Sequence, residues 1–252
     1  MYINGINSPL GKSLIKFFQS DYKINNHFNY NYAIFNGFKS PTNNSENNIH
    51  LYYYNVNRLN DEIKKIKLFD LKKIIFISAI SVYGDMWDGL STNASPHHSD
   101  FYSLSKLECE KILSKFCKEI GATFFTIRVP GICEPFCSRN FICKLINKIK
   151  NSETPEISSP NNYFNNLTCH KDIYNVIKAI IENRISSNII NIGSTDPIRI
   201  IDIVKLICDH YEQKFEYTSL NQTAERIIDV EYLIKSGVCL NSVVHTIKRC
   251  LI

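Results

Sequence analysis

Tyr102 and Lys106 form the pair of side chains with the clearest chemical use in this sequence. They stand four residues apart at the start of a helical pattern, and residues four apart lie on one face of a helix. A lysine ammonium beside a tyrosine hydroxyl favours the phenolate, which lowers the pKa of the tyrosine from about 10 towards neutrality. A tyrosine tuned in this way can pass a proton to or from a sugar hydroxyl or a ketone, the acid/base step that accompanies hydride transfer to a nicotinamide.

A second pair with the same spacing, Tyr174 and Lys178, lies in the apolar helical run IYNVIKAII. We interpret this pair as structural, because a tyrosine at a helix edge and a solvated lysine need no chemical role. The context of Tyr102 is different, since a buried strand at 74–77 and the turn Ser-Val-Tyr-Gly precede its helix. Such context is what separates a functional motif from a chance match.

The elements around Tyr102 alternate between strand and helix. Strands are predicted at residues 2–3, 32–35, 74–78 and 123–129, with helical patterns between them. We also predict a strand at 49–53, followed by a helix capped near Asn60. The alternation indicates an α/β fold with a parallel sheet and right-handed crossovers.

A glycine-containing turn at residues 5–11 follows the first strand and opens the first helix. The N–H groups and the dipole at a helix N-terminus favour an anion, so this turn is the predicted pyrophosphate site. Its middle position, where a glycine would let a pyrophosphate approach the backbone, holds Ser8. A simple strand-to-helix turn remains the alternative. The predicted contact residues are Gly5, Asn7, Ser8, Pro9, Leu10 and Gly11.

The end of the second strand lacks the acidic residue that commonly binds a ribose 2′-hydroxyl. The chain reads Phe-Asn-Gly-Phe-Lys there, which makes Asn36 and Lys39 the candidates for this position. A lysine suits a 2′-phosphate, so the predicted cofactor is NAD or NADP, with a lean to NADP.

Composition limits the compartment and the partners. The net charge of this chain of 252 residues is +5, its lysines are scattered, and no nucleic-acid partner is predicted. No apolar run approaches the roughly 18–20 residues that cross a membrane, and no secretory signal is recognised. The nine cysteines are irregularly spaced. We therefore expect reduced, mostly buried thiols in a cytoplasmic protein, and no metal site.

Together these motifs resemble those of the extended short-chain dehydrogenases/reductases, of the NAD-dependent epimerase/dehydratase type that acts on nucleotide sugars. Residues 4–11 stand for the family turn T-G-x-x-G-x-x-G, residues 78–84 for S-S-x-x-V-Y-G, and residues 102–110 for Y-x-x-S-K-x-x-x-E. The resemblance covers most of the chain. Later matches are Arg128-Val-Pro-Gly, His170-Lys-Asp172 and Asn191-Ile-Gly193.

The resemblance implies a Rossmann-like doubly wound parallel sheet with a small C-terminal substrate-binding lobe. Residues 1–130, with contributions from 165–195, would form the dinucleotide-binding domain, and 131–252 mainly the lobe for the nucleotide sugar. Tyr102 would be the acid/base, and Lys106 would bind the nicotinamide ribose and lower the pKa of that tyrosine. Members of the family often form homodimers through this helix. Further cofactor contacts would be Ser78 and Pro130.

The sequence departs from the family pattern at the catalytic Ser/Thr, which lies four residues before the tyrosine of V-Y-G. Ala79 stands there, and losing a hydroxyl that binds the reacting sugar oxygen costs orders of magnitude in rate. Ser81 shares the face of Ala79 if the strand stays regular, so Ser81, and in second place Ser78, is the predicted substitute. The region 21–70 is also short for the family, which indicates a missing strand–helix unit.

The sugar dehydratases of the family carry an Asp-Glu pair where Ile80 and Ser81 stand here, so dehydration is set aside. The predicted function is an NAD(P)-dependent epimerase or 4-ketoreductase on a nucleotide sugar, serving surface polysaccharide synthesis. The alternative, motivated by Ala79, Ser8 and the short N-terminal half, is a catalytically silent relative. Such a protein would bind a nucleotide or sugar nucleotide in a regulatory or scaffold role.

Overall fold

The computed structural model describes residues 1–22, 31–41, 43–84, 96–97, 100–137, 139–220 and 225–251. These residues divide into two compact units. The first is drawn from 1–86, 94–128 and 176–190, and the second mainly from 129–175 and 191–252.

Strands and helices alternate along the first half of the chain: β1 (Tyr2–Asn4), α1 (Pro9–Tyr22), β2 (Tyr32–Phe35), α2 (Ile49–Ile66), β3 (Lys73–Ala79), α3 (Phe101–Ile120) and β4 (Thr123–Val129). The second half forms β5 (Gly131–Ile132), α4 (Phe141–Lys150), β6 (Glu156–Ser158), β7 (Tyr163–Phe164), β8 (Leu167–Thr168), α5 (His170–Ile181), β9 (Ile189–Asn191), β10 (Ile198–Arg199), α6 (Ile200–His210), β11 (Thr218–Leu220), α7 (Glu231–Lys235) and α8 (Val243–Lys248). None of the described helices is long and apolar enough to cross a membrane.

The first unit is built on a five-stranded parallel sheet in the order β1-β2-β3-β4-β9. Alternate residues of β2 and β3 share one buried cluster with α2 and α3, and the intervening residues of these strands are buried too. Because both faces of the sheet are covered, its strands read as continuous apolar runs. The predicted α/β fold with a Rossmann-like parallel sheet is confirmed.

α2 begins at Ile49, so the prediction of a strand at 49–53 is wrong. Asn48 caps the helix, and its Oδ1 accepts a hydrogen bond from the N–H of His50 at 3.0 Å. The aromatic residues Tyr52 to Tyr54 favour a strand by composition. Tyr53 and Tyr54 are exposed, however, and the buried residues recur at helical spacing: Leu51, Asn55, Leu59, Glu62 and Ile66.

β1 lies at an edge of the sheet, and no described strand lies beyond it. In a complete dinucleotide-binding fold the strand order reverses beside the first strand, and a mononucleotide-binding half lies on each side. Here β2 pairs with β1 on the same side as β3. Only residues 23–31 separate α1 from β2, whereas a parallel strand with its crossover takes a dozen or more. The described sheet therefore corresponds to one half of the complete arrangement.

The motif-like pair Tyr174 and Lys178 has structural contacts. The Tyr174 side chain is fully buried, with the Lys171 ammonium over its ring. Lys178 forms an ion pair with Asp21 at 2.6 Å, which joins α5 to α1. The pair has structural contacts, but Tyr174 lies in the core rather than at a helix edge, and Lys178 is in an ion pair rather than solvated.

Among its described residues the second unit has three two-stranded pairings, and α4, α6 and α8 contribute to one buried apolar cluster. Cys137 and Cys143 form a disulfide, so the expectation of reduced thiols is wrong for these two. Asn140, three residues after Cys137, is the N-cap of α4, and its Oδ1 accepts from the N–H of Cys143 at 2.9 Å. The start of the helix at Phe141 thus brings the Cα atoms of Cys137 and Cys143 to 5.7 Å. The other seven cysteines are free.

Candidate active site

The ammonium of Lys106 is buried beside the last residues of β3. Its Nζ donates a hydrogen bond to the carbonyl oxygen of Ile77 at 3.1 Å and lies 4.8 and 5.0 Å from the ring centres of Phe38 and Phe76. The side chain is 4% exposed, and burial lowers its pKa to about 8. A lysine carries three N–H donors, of which one has a hydrogen-bond acceptor within the described chain. The remaining donors suit the hydroxyl groups of a ligand.

Tyr102 lies one helical turn before Lys106, and the Lys106 Nζ is 5.6 Å from the centre of the tyrosine ring. Burial, and after it the negative charge of Asp100, raise the pKa of Tyr102 above its ordinary value. The predicted lowering of this pKa by Lys106 is therefore wrong for the described arrangement, because the ammonium lies over the ring and donates to Ile77 instead. The hydroxyl of Tyr102 stays protonated at neutral pH, which is the state of a proton donor.

Three hydrogen bonds fix the first turn of α3, which carries Tyr102. The Asp100 carboxylate accepts from the N–H of Ser103 at 2.7 Å, and Asn47 Oδ1 accepts from the N–H of Tyr102 at 2.9 Å. The Ser105 hydroxyl donates to the carbonyl oxygen of Tyr102 at 2.7 Å. The first two of these bonds satisfy N–H groups that a helix leaves unpaired. The backbone of Tyr102 is therefore held from both sides.

Ser81 contacts α3, but it does so from a turn and not from the regular strand that the sequence predicted. β3 ends at Ala79 and a 3₁₀ turn (Ile80–Tyr83) follows, so the regular alternation assumed for Ser81 stops before it. The Ser103 hydroxyl donates to the Ser81 Oγ at 2.9 Å. Ser103 directly follows Tyr102 and is fully buried. It could not be predicted from the sequence, because its partner lies in a distant segment. Two paired hydroxyls thus stand where the strand meets the start of α3.

Ser78 belongs to a buried charged network. Its hydroxyl donates to Glu110 Oε1 at 2.5 Å, and the Arg128 Nη2 pairs with Glu110 Oε2 at 2.7 Å. The Arg128 Nη1 donates to the Tyr83 hydroxyl at 2.7 Å. The proton of the Ser78 hydroxyl is already used here, so Ser78 cannot replace the hydroxyl missing at Ala79 without breaking the network.

The turn between β1 and α1 packs against the residues that follow β2. Gly5 has a φ of 71°, and a Cβ there would collide with the backbone of Gly37, so this packing by itself requires a glycine. Ser8 is the N-cap of α1. Its Oγ accepts from the Gly11 N–H at 3.0 Å and donates to Asn36 Oδ1 at 2.9 Å.

Ser8 therefore uses one of the N–H groups that an anion at the N-terminus of α1 would bind. Pro9 has no N–H. The N–H groups of Asn7 and Leu10 make no hydrogen bond to any described residue and remain for a phosphate. The turn fits an anionic group, with fewer donors than a glycine at position 8 would leave.

Lys39 does not take the predicted ribose position. In the complete dinucleotide-binding fold, the strand whose end binds the adenosine ribose pairs with the first strand on the side opposite to the later strands. Here β2 lies on the same side as the later strands, between β1 and β3. Asn55 accepts from the Lys39 N–H at 3.0 Å and donates to the hydroxyl of Ser105, the neighbour of Lys106, also at 3.0 Å. The reason for preferring NADP is thereby removed. Asn55 was not predicted, because a buried asparagine on a helix has no motif.

Asn36 holds the glycine turn to β2, since its Nδ2 donates to the Asn4 carbonyl oxygen at 2.7 Å. Its predicted contact with a cofactor stays a prediction. Pro130, the last of the predicted cofactor contacts, directly follows β4 and falls in the second unit.

The chain is an α/β protein of the Rossmann-like class. It has a parallel sheet, a glycine-containing turn between β1 and the N-terminus of α1, and a Tyr-x-x-x-Lys pair on the helix after β3. The chain belongs to the NAD dependent epimerase/dehydratase family, whose model matches residues 12–193. The match begins directly after Gly11, so it leaves the glycine turn outside.

Solved structures with the same fold cover nearly the whole chain. UDP-glucose 4-epimerase from Thermotoga maritima, with UDP-glucose, is 13% identical at a TM-score of 0.80 and covers 99% of this chain and 96% of its own. RMD from Pseudomonas aeruginosa, complexed with NADPH, is 12% identical at 0.81, with 99% and 97% covered. UDP-N-acetylglucosamine 4-epimerase from Methanobrevibacter ruminantium M1, in complex with UDP-N-acetylmuramic acid, is 17% identical at 0.78, with 99% and 96% covered. No curated protein matches the chain significantly.

Proposed function

We propose that the chain is a nicotinamide-dependent epimerase or 4-ketoreductase that acts on a nucleotide sugar. The observation that carries the proposal is the buried ammonium of Lys106, one helical turn from Tyr102, with N–H donors left over within the described chain. A buried cation is costly unless it is bound, and ribose hydroxyls are suitable acceptors for these donors. The UDP-sugar ligands and the NADPH of the similar structures support the same ligand classes here.

A bound nicotinamide would supply or accept the hydride. Lys106 would hold the ribose hydroxyls, and the N–H groups of Asn7 and Leu10 would bind phosphate oxygens. Tyr102, kept protonated by its raised pKa, would donate its proton to a sugar carbonyl oxygen. In the opposite direction, removal of a proton from a sugar hydroxyl would need the phenolate of Tyr102, which the raised pKa disfavours in the described arrangement.

The paired hydroxyls of Ser81 and Ser103 are the proposed substitute for the hydroxyl missing at Ala79. Ser103 donates its proton to Ser81, which leaves the proton of Ser81 for an acceptor such as a sugar oxygen. One such donor to the reacting oxygen contributes to the rate but does not set it alone.

Substitution of Tyr102 tests the proposal. Tyr102→Phe should lower kcat at least about 100-fold with a UDP-sugar substrate, because it removes the proton donor, while NADH binding is unchanged. Ser81→Ala should lower kcat by roughly 100-fold, because it removes the one proposed hydroxyl donor to the reacting oxygen. The matched control is Tyr53→Phe, an exposed tyrosine on α2 that should keep full activity. Equal kcat for wild type and Tyr102→Phe would contradict the assigned role.

A catalytically silent member of the family is the second candidate, favoured by the methyl group of Ala79 and by the N–H that Ser8 occupies. Such a protein would bind the nucleotide sugar without converting it. Incubation of wild type with NAD⁺ and a UDP-sugar, followed by chromatography of the sugar, decides between the two candidates. A second epimer or a keto sugar supports the enzyme, and an unchanged sugar that still binds supports the silent relative.

Two finer assignments follow from the family resemblance alone. We assign the nucleotide sugar to the second unit, and sugar-nucleotide binding by variants of that unit would test this assignment. A place in surface polysaccharide synthesis stays a prediction, which sugar analysis of surface glycans from cells lacking the chain would test.

A further inference from the structure

Four cysteines of the second unit lie close to one another, with Cys133 common to two groups of contacts. The Sγ atoms of Cys133 and Cys250 are 3.0 Å apart, and Cys137 and Cys143 are bonded to each other. The Sγ atoms of Cys133, Cys137 and Cys143 all lie within 4.8 Å of one another. Cys137, Cys143 and Cys250 line the same small cavity. Sequence spacing gave no sign of this group, because its fourth member comes from the far end of the chain.

The four sulfurs come from three separate segments: the loop after β5, the first turn of α4 and the residues after α8. Zinc–thiolate bonds of about 2.3 Å in a tetrahedron place the sulfurs about 3.8 Å from one another. The Cys133–Cys250 separation of 3.0 Å is shorter than that value, and the sulfurs of Cys133, Cys137 and Cys143 lie within 4.8 Å of one another. Cys133 belongs both to the close pair with Cys250 and to the group with Cys137 and Cys143, so it links the four sulfurs. Side-chain rotation after reduction of the Cys137–Cys143 bond would complete a tetrahedron.

We propose that Cys133, Cys137, Cys143 and Cys250 form a tetrathiolate zinc site in the reduced chain. A dithiol reductant supplies two electrons and two protons to the Cys137–Cys143 bond, yields two thiols and becomes a disulfide itself. The four thiols then release four protons as they form four bonds to one Zn²⁺. The closed site carries a net charge of −2 and keeps no position for substrate, so its role is structural.

The other cysteines favour a metal over a pair of disulfides. Cys109, Cys117, Cys169 and Cys208 are buried and free, and Cys239 is exposed and free. A disulfide framework pairs its cysteines throughout a chain, whereas isolated thiols are typical of a reducing compartment. In a reduced chain, four neighbouring thiols form a set of soft ligands that binds metal ions such as zinc.

The surroundings of the four sulfurs suit a buried anionic cluster. Cys133, Cys143 and Cys250 belong to the apolar core of the second unit, which keeps water away. Lys150 lines the cavity with three of the cysteines, and Arg249 immediately precedes Cys250. Arg249 pairs with Glu134, which lines the same cavity, so Lys150 is the lining cation that offsets part of the charge of −2. A zinc ion here would fasten the C-terminal segment to α4 and to the loop after β5.

Metal analysis of the full chain, purified under a thiol reductant without chelators, tests the proposal. We expect about one zinc per chain. Cys137→Ala should lose the zinc, and because this residue is only half-buried the fold should survive. Cys250→Ser should lose it as well, whereas Cys239→Ser, the matched control at an exposed free cysteine, should keep it. Replacement of the zinc by Co²⁺ should give the visible absorption of a tetrahedral thiolate complex.

Three results would overturn the proposal. One is a metal-free reduced chain that does not take up Co²⁺. Another is iron with sulfide in place of zinc, which would make the site an iron–sulfur centre. The third is full zinc occupancy in both Cys137→Ala and Cys250→Ser. Circular dichroism of each variant shows whether it is folded, so loss of zinc is counted only in folded protein.

Discussion

The ammonium of Lys106 is a charge buried in the first unit. Because it belongs to the candidate site and its burial costs free energy, it affects the stability of the fold as well. Its pKa is lowered to about 8 in the folded chain, while a lysine in an unfolded chain titrates near 10.4. The folded state therefore binds this proton less tightly, and the charged lysine weakens folding at neutral pH. Burial of this charge lowers the free energy of unfolding by about 3 kcal/mol, and this penalty is removed as the pH rises from about 8 to about 10.4.

Lys106→Met should therefore be more stable than wild type near neutral pH, by up to about 3 kcal/mol, because it buries no charge. The difference should shrink as the pH rises from about 8 to about 10. Urea denaturation across this range measures it. Lys111→Met, an exposed lysine on the same helix, is the matched control and should differ from wild type by less than about 0.5 kcal/mol at every pH. A difference for Lys106→Met that does not change with pH would show that the buried ammonium does not titrate here.

At the scale of elements, the network of Ser78, Glu110, Arg128 and Tyr83 joins β3, α3 and β4. These four residues come from three of the sequence motifs that resemble the family pattern. Part of each motif therefore has a structural role, which is to hold the strands and the helix of the site together. A buried ion pair is costly to break from one side, because the remaining charge is left without compensation.

Glu110→Gln should destabilise the first unit by about 3 kcal/mol, since it leaves the Arg128 guanidinium buried without a counter-charge. Glu108→Gln, two residues earlier and partly exposed, should cost under about 1 kcal/mol. The midpoints of denaturant unfolding compare the two variants. Equal midpoints would mean that the network adds nothing to stability.

Periodicity and motifs predicted β3, the helix of Tyr102 and the strand at 123–129, because each has a strong local pattern. The same reasoning misplaced a strand in α2, where exposed tyrosines favour a strand by composition but Asn48 starts a helix. It could not find Ser103, Asn55 or Phe38, since their contacts with Ser81, Lys39 and Lys106 join segments distant in sequence. The direction of the pKa shift at Tyr102 also depends on burial, which a spacing of four residues does not report.

At the scale of the whole molecule, the position of β1 at the sheet edge decides how a dinucleotide can bind. A complete fold holds one mononucleotide on each side of the switch in strand order, and the described sheet has one side. The residues that fit a ligand lie on that side: Lys106, Tyr102 and the turn before α1. The nicotinamide end should therefore contribute most of the binding free energy, and the adenosine end little.

A fluorescence titration of the folded chain with NADH, NADPH and reduced nicotinamide mononucleotide tests the central claim most directly. We expect saturable binding of all three, with dissociation constants within about threefold of one another, and a loss of at least about 10-fold in Lys106→Met. A strong preference for either dinucleotide over the mononucleotide would refute the claim that the nicotinamide end contributes most of the binding free energy. It would not contradict the proposed function. No saturable binding of any of the three would contradict the claim that Lys106 and Tyr102 form a nicotinamide site.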